Sequence, residues 1–433
     1  MLSRLRFGLS GAAQQLARSS PLQPLLLQHQ SGAIAVSRSS HSAPAPSATT
    51  ATAIPAPTDG LRVTPVSTKP PTAIVLMNLG GPATQADVHD FLLRLFSDRD
   101  IIPLPLQSYS ARFIARRRTP TIQQQYAKIG GGSPIRSWTE KQGQAMAKML
   151  DEISPSTAPH KPYIAFRYAR PLTDDALAQM AADGVTRAVA FTQYPQYSCS
   201  TTGSSLNELA RQISAAGSAS PLKDMQWSVI DHWPTHPLFV QAVVHNIRQA
   251  LLRFPEAKRK EVVLVFSAHS LPMTVVNRGD AYPPQVAATV HAVMQELGHS
   301  HQFQLVWQSK VGPQNWLGPR TDEAIRGFAA NGRKNLLLVP IAFTSDHIET
   351  LFELDHEYAD VLAKEVGIEQ IERSESLNEP PPIHQSHGYN CARASPASRS
   401  HRQGLQQAAW HAVVPKCTNP KCETTRTFFG AEH

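Results

Sequence analysis

The chain has 433 residues, an ordinary 41% of hydrophobic side chains and a formal net charge of +8, which suits two domains of usual size, or one with appendages. No uninterrupted apolar run reaches the ~18 residues that a spanning helix needs, so a soluble or peripheral protein is expected. The charge sits at the ends: residues 1–70 carry a net +5 and 380–433 a net +4, leaving −1 for 71–379, so the basic balance is no argument for nucleic acid.

Residues 1–70 read as an address rather than a fold. Arg4, Arg6, Arg18 and Arg38 precede any acid, leucines are interleaved at the start, and Ser, Ala, Thr and Pro dominate from 31 to 71. That is the composition of a mitochondrial transit peptide followed by a flexible spacer. The apolar patch Leu25 to Leu27 is too short for a secretory signal.

From Thr72 strand and helix signals alternate. The pattern predicts strands at 73–78, 163–168, 188–192, 227–231, 262–267, 304–308 and 336–341. Helices are predicted at 85–96, 139–153, 173–183, 204–214, 237–254, 284–297, 321–331 and 345–366. Such alternation implies parallel sheets with helices on both faces. Segments 73–82 and 262–272 share one plan: an apolar strand, a polar tip, a proline. The expected fold is α/β, with two similar doubly wound domains at 72–230 and 231–379, the second opening with a linking helix, and with strand ends facing a shared cleft.

The stretch 262–280 carries the first chemical signal. Its apolar, β-branched run stops at Ser267-Ala268-His269-Ser270, and Pro272 forbids simple continuation of the strand. His269 is thereby placed at the end of a parallel strand, where open α/β sheets hold their ligands. A second signal follows the apolar run 336–341. Ser345 or Asp346 suits a helix cap, and Glu349, Glu353 and Glu357 then fall at i, i+4 and i+8 on one helix face. Like charges at that spacing repel, so the row needs water or a function. A ladder of oxygens suits a divalent cation passed between carboxylates, and it can also carry protons. His347 adds a nitrogen ligand at its start.

Two features are set aside. The Gly130-Gly131-Gly132 loop has no Gly-Lys-Ser/Thr after it, so nucleotide binding is discarded. There are four cysteines, Cys199, Cys391, Cys417 and Cys422; a matrix protein has no reason for disulfides, and Cys-x4-Cys is a poor zinc spacing.

Seven segments in order are specific enough to resemble one family. They are LMNLGGP (76–82), VHDFLLRLFSDRD (88–100), RRRTPTIQQQYAKIGGGSPI (116–135), FTQYPQYSCSTTGSS (191–205), SAHSLP (267–272), VWQSKVGPQNWLGP (306–319) and FTSDHIET (343–350). Together they resemble the ferrochelatases of the mitochondrial, fungal-like kind, over about 73–378. The resemblance implies a class II chelatase-like fold. It also implies insertion of Fe2+ into protoporphyrin IX, giving protohaem and two protons, the last step of haem synthesis. A base near neutral pKa is needed for the pyrrole protons, and imidazole suits it.

By this resemblance His269 is the proton acceptor, with Glu349 its partner across the pocket and His236, in DHWPTH, part of the active-site region. Asp346, His347, Glu353 and Glu357 form the metal or proton path. Arg118, Tyr126, Ser133, Arg167 and Tyr168 hold the porphyrin. The proline-broken, arginine-rich segment 101–118 resembles a hydrophobic lip that dips into an anionic leaflet of the inner mitochondrial membrane, on the matrix side. A homodimer is implied, and no nucleic-acid partner is.

A [2Fe–2S] cluster is implied too, with one cysteine from YSCSTTG and three in a Cys-x2-Cys-x4-Cys run. Cys199, Cys417 and Cys422 match three positions, but the fourth is Val414, so the ligand set is incomplete. The segment 380–415 has no helical period and departs from the family. Shifted by one nucleotide, with permitted codons, 382–395 spell PFIKAMATIVREHL, an amphipathic helix of the kind the family has there. A frameshift or mis-spliced junction near Glu379, restored before Cys417, is the expectation. An uninterrupted transcript in the given frame would remove it, leaving 380–415 as a disordered linker with an incidental Cys391. Two readings from other classes stand beside the iron enzyme: a tetrapyrrole or haem carrier without catalysis, and a chelatase for another metal such as cobalt.

Overall fold

The computed structural model describes residues 69–379 together with Thr425, Phe428 and Phe429. The expected transit segment, the 380–415 stretch with its expected frameshift, and Cys391, Val414, Cys417 and Cys422 lie outside the described residues.

Eight strands form two four-stranded parallel sheets. β1 (Thr72–Asn78), β2 (His160–Phe166), β3 (Arg187–Thr192) and β4 (Gln226–Ile230) make the first, in the order β2-β1-β3-β4. β5 (Val263–His269), β6 (Phe303–Gln308), β7 (Asn335–Pro340) and β8 (Gln370–Arg373) make the second, in the order β6-β5-β7-β8. Counted from its own first strand, each sheet has the same order, and every pair is parallel. The central strands β1 and β7 are buried throughout, as their near-continuous apolar sequences require when helices cover both faces.

The helices are α1 (Val88–Ser97), α2 (Gln107–Lys128), α3 (Ile135–Ile153), α4 (Thr173–Ala182), α5 (Ser204–Ala215), α6 (Pro237–Leu251), α7 (Tyr282–Glu296) and α8 (Thr321–Ala330), followed by a π-helix over Glu349–Leu362. All seven predicted strands and all eight predicted helical segments are present, with ends displaced by a few residues. The strand missed is β8, whose sequence QIER is polar and whose residues are only half-buried at a sheet edge.

Two local expectations are corrected. Segment 101–118 is not an irregular proline-broken run: Pro103 and Pro105 precede α2, which starts at Gln107 after Leu106 turns the chain with φ +47° and continues through Pro120. Ala111 and Ala115 face inward while Leu106, Tyr109 and Phe113 are 67–78% exposed, so the segment packs small residues and Ile114 inward and turns three large apolar residues outward. The acidic helix, for its part, is not capped by Ser345 or Asp346. Regular structure starts two to three residues later and adopts the wider π form, whose i→i+5 bonds are common at functional positions.

The glycine-rich loops hold the mouth of the first sheet together. Gly80 has φ +78°, and a Cβ there would meet the Phe166 ring at 2.7 Å. A Cβ on Gly132 would lie 1.9 Å from the Ala83 carbonyl oxygen, and the Ser133 N–H donates to the Pro82 carbonyl at 2.8 Å. Gly132 thus lets 130–133 dock on 80–83, while Gly130 and Gly131 supply the positive φ of the turn, +101° and +95°.

Candidate active site

β5 ends at His269 because Ser270 and Pro272 divert the chain, and the π-helix opens at Glu349 just beyond the end of the neighbouring β7. The two meet directly: His269 Nδ1 lies 2.9 Å from Glu349 Oε2. This corrects the expectation that Glu349 faces His269 across a pocket; the two groups are one hydrogen-bonded pair on one wall. With Nδ1–H donating to the carboxylate, Nε2 keeps the ring's lone pair.

The electrostatics follow from this contact. Burial pulls the His269 pKa down, but the Glu349 charge and hydrogen bond, with Glu353 behind, outweigh it and raise the pKa above the ordinary histidine value. Burial pushes the Glu349 carboxyl up, yet His269, His347 and Ser309 together hold it well below the usual carboxylate range. Glu353 goes the other way. Burial and the neighbouring Glu349 charge push it up to about 7, against the hydrogen bonds it accepts. Two carboxyls one helical step apart therefore differ strongly in proton affinity, the pattern of acid–base sites.

Around the pair, His347 Nε2 lies 3.9 Å from Glu349 Oε1 and its Nδ1 is 2.9 Å from the Ser345 carbonyl oxygen. Tyr126 is 2% exposed, and burial together with the Glu349 charge raises its phenol pKa. The Trp316 ring lies 6.5 Å from the His269 ring. Further along the π-helix, Glu353 and Glu357 line a cavity of about 550 Å³ together with Lys128, Gln308, Ser309 and His356.

Other expected residues sit elsewhere or are already engaged. Asp346 is removed from the metal path: its carboxylate accepts from Arg373 (3.0 Å), Thr350 (2.9 Å), Ser376 (2.9 Å) and Asn378 (2.8 Å). Burial opposes its charge, but Arg373 prevails and lowers its pKa, so it anchors the approach to the helix. Tyr168 does not face a ligand either. It is 1% exposed, and its hydroxyl donates to Asp98 Oδ2 at 2.6 Å.

Arg167 makes a half-buried ion pair with the same Asp98 at 2.8 Å, and the Ser204 hydroxyl also donates to this carboxylate at 2.7 Å. Arg118 lies with its guanidinium 5.8 Å from the centre of the Phe96 ring. Burial lowers its pKa, and no salt bridge to a described residue neutralises it. Ser133 belongs to the docked glycine loop. His236 is exposed, precedes Pro237 at the start of α6, and makes no side-chain bond to the His269–Glu349 pair among the described residues.

Sequence reasoning missed Gln308 and Ser309, which contact both Glu349 and Glu353. Their signal was there, two polar residues closing an apolar strand inside VWQSKVG. It had no partner until β6 was laid beside β5.

Cys199 is buried in the turn before α5. Its N–H donates to Asp280 Oδ2 at 2.8 Å, and its thiol also donates to that carboxylate. A four-thiolate cluster lacks a donor here, because Val414 cannot be a ligand. Among the described residues no group of three or more His, Cys, Asp or Glu side chains could hold a metal ion. Nor is any helix among them long and apolar enough to cross a membrane.

A family model described as ferrochelatase matches residues 71–386. The mitochondrial ferrochelatase of Xenopus laevis is 58% identical over 367 residues, covering 84% of this chain and 87% of that protein. That of Schizosaccharomyces pombe is 51% identical over 314 residues, covering 72% and 73%. The solved structure of SirB from Bacillus subtilis with Fe3+ aligns with a TM-score of 0.41 at 12% identity, over 71% of this chain and 88% of that one.

Proposed function

The chain belongs to the ferrochelatase family, and from that membership we infer that it is a mitochondrial enzyme that inserts Fe2+ into protoporphyrin IX, yielding protohaem and two protons. The observation that carries the catalytic reading is the 2.9 Å contact between His269 and Glu349. The Nε2 lone pair of His269 takes a pyrrole proton, and the Glu349 carboxylate holds the imidazole in the competent tautomer and stabilises the imidazolium that forms. Glu353 then receives protons within the buried site and passes them toward the cavity lined by Glu357. The same oxygens, with His347, offer the incoming Fe2+ loose ligands. Asp346 is left out of this route.

Arg118 is the propionate-binding group, a guanidinium without a carboxylate partner among the described residues. Tyr126 and Ser133 shape the wall beside it, and Arg167 acts from behind, through Asp98 and Ser204. His236 contributes from the start of α6 as an outer residue. The matching strand orders of the two sheets support a division into similar halves at 72–230 and 231–379.

The exposed Leu106, Tyr109 and Phe113, with Arg112, Arg116 and Arg117 on the same helix, support a peripheral seat on an anionic leaflet, the matrix face of the inner membrane. Replacing the three apolar residues with Ser should abolish co-sedimentation with anionic vesicles; undiminished binding would remove this role. A homodimer is carried as a reading that solution mass decides. The [2Fe–2S] cluster is carried only with a fourth ligand from elsewhere, and no step depends on it.

Anaerobic incubation of the mature protein with Fe2+ and protoporphyrin IX tests the whole. The Soret band should move to that of haem. A His269→Ala variant should lose on the order of 100-fold or more in kcat. Porphyrin binding with no turnover would instead identify a carrier, and turnover with Co2+ but not Fe2+ a chelatase for another metal.

A further inference from the structure

Ser309, the residue after β6, has φ +65°, in the left-handed region that a side chain other than Gly, Asn or Asp rarely adopts. This conformation holds its hydroxyl between two carboxylates: it donates to Glu353 Oε2 at 2.6 Å and lies 3.4 Å from Glu349 Oε2. Gln308, only 1% exposed, works beside it. Its Nε2 donates to Glu353 Oε2 at 2.9 Å and to the Glu349 backbone carbonyl at 3.0 Å. Its Oε1 accepts from Ser267 Oγ at 2.7 Å, and that hydroxyl is 3.0 Å from Thr321 Oγ1. Ser267 lies two residues before His269 on β5, so one connected set of polar contacts joins the strand that carries the imidazole to the helix that carries the carboxylates.

Each contact has a physical consequence. Two carboxylates a single turn apart repel, and a donor placed between them lets both stay. The side-chain amide on the Glu349 carbonyl also satisfies a backbone acceptor at the first residue of the π-helix. A glycine would adopt the Ser309 backbone freely but would bring no donor, so the backbone strain is explained by the hydroxyl it positions.

We propose that Gln308 and Ser309 form a positioning clip that fixes Glu349 against His269 during metal insertion. The clip rests on the chelatase reading above. Both are positioning residues, which act through the Glu349 and Glu353 groups they contact.

The test uses the full mature chain with Ser309→Gly and Ser309→Ala, measured by steady-state haem formation and thermal unfolding. Ser309→Gly should unfold at or above the wild-type temperature, because the backbone is relieved. Its kcat should nevertheless fall on the order of 10- to 100-fold, the cost of a slightly misplaced group, with the KM for protoporphyrin within about twofold of wild type. Ser309→Ala should lose kcat to a similar extent. Wild-type kcat in Ser309→Gly overturns the clip, as does a loss that merely follows a lower unfolding temperature or a raised porphyrin KM. Absence of haem formation by the wild type would sink the chelatase reading instead.

Discussion

At the scale of single residues, the site works by dividing charge. Against burial, the Glu349 charge makes His269 a stronger base, and His269 in turn helps hold Glu349 ionised, while burial and the same Glu349 charge raise the proton affinity of Glu353, one step further. This has a measurable sign. Glu353 moves from an ordinary 4.5 in the unfolded chain to about 7 in the native one. Its contribution to stability is therefore complete below about pH 4.5 and is lost as pH rises through 7, where a buried charge must form. Glu353→Gln cannot ionise, so its stability relative to wild type should grow between pH 5 and pH 8 by on the order of 1–3 kcal/mol. Denaturant unfolding at the two pH values checks this, and a gap that stays flat or narrows removes the assignment. The identities of His269, Glu349 and Glu353 were legible from the chain because strand ends and helical spacing are local. Their proton affinities were not, since those depend on one another and on Ser309 and Gln308, all distant in sequence from His269 or from the two carboxyls.

At the scale of elements, the instructive cases are those where tertiary contacts changed a local preference. α2 continues through Pro120, and the Thr119 hydroxyl donates to the Ala115 carbonyl at 2.8 Å one turn earlier; its inward stripe of Ala111 and Ala115 packs in a cluster with Val88, Leu92 and Phe96. The acidic helix takes the π form where Gln308 meets its first carbonyl. At its outer side Lys128 of α2 lies 2.9 Å from His356 Nε2, so the exposed helix and the acidic helix are in contact. The triple glycine shows the same principle in a loop. Gly132→Ala would place a methyl group where the Ala83 carbonyl stands, and backbone cannot yield as a flexible side chain can. Destabilisation of roughly 2–4 kcal/mol is expected, read by chemical denaturation; a change below about 0.5 kcal/mol would show that the loops part easily.

At the scale of the whole molecule, two sheets of the same strand order each present a parallel-strand end, and the His269–Glu349 pair lies at the end of the second. The tail also returns to the first sheet: the Thr425 hydroxyl meets Asn207 on α5, and the Phe429 ring lies 6.3 Å from Trp227 on β4, edge to face. That docking is made by ordinary polar and aromatic contacts near the helix that follows Cys199. The purified mature chain should accordingly lack the visible absorption of a [2Fe–2S] cluster, and Val414→Cys should introduce it by completing the thiolate set. Cluster bands in the wild type would show that a ligand comes from elsewhere.

The amino-acid order alone determined the alternation of strands and helices, the burial of the central strands and the placement of His269 at a strand end, because each is written in hydrophobic period and in proline or glycine within a few positions. Folding in three dimensions decided the rest. It brought His269 and Glu349, 80 positions apart, into direct contact, withdrew Asp346 and Tyr168 into internal bonds with Arg373 and Asp98, and set Ser309 between two carboxylates. Those outcomes depend on which strand ends become neighbours, and the Coulomb and desolvation energies that tune the groups depend on distances that no local pattern encodes.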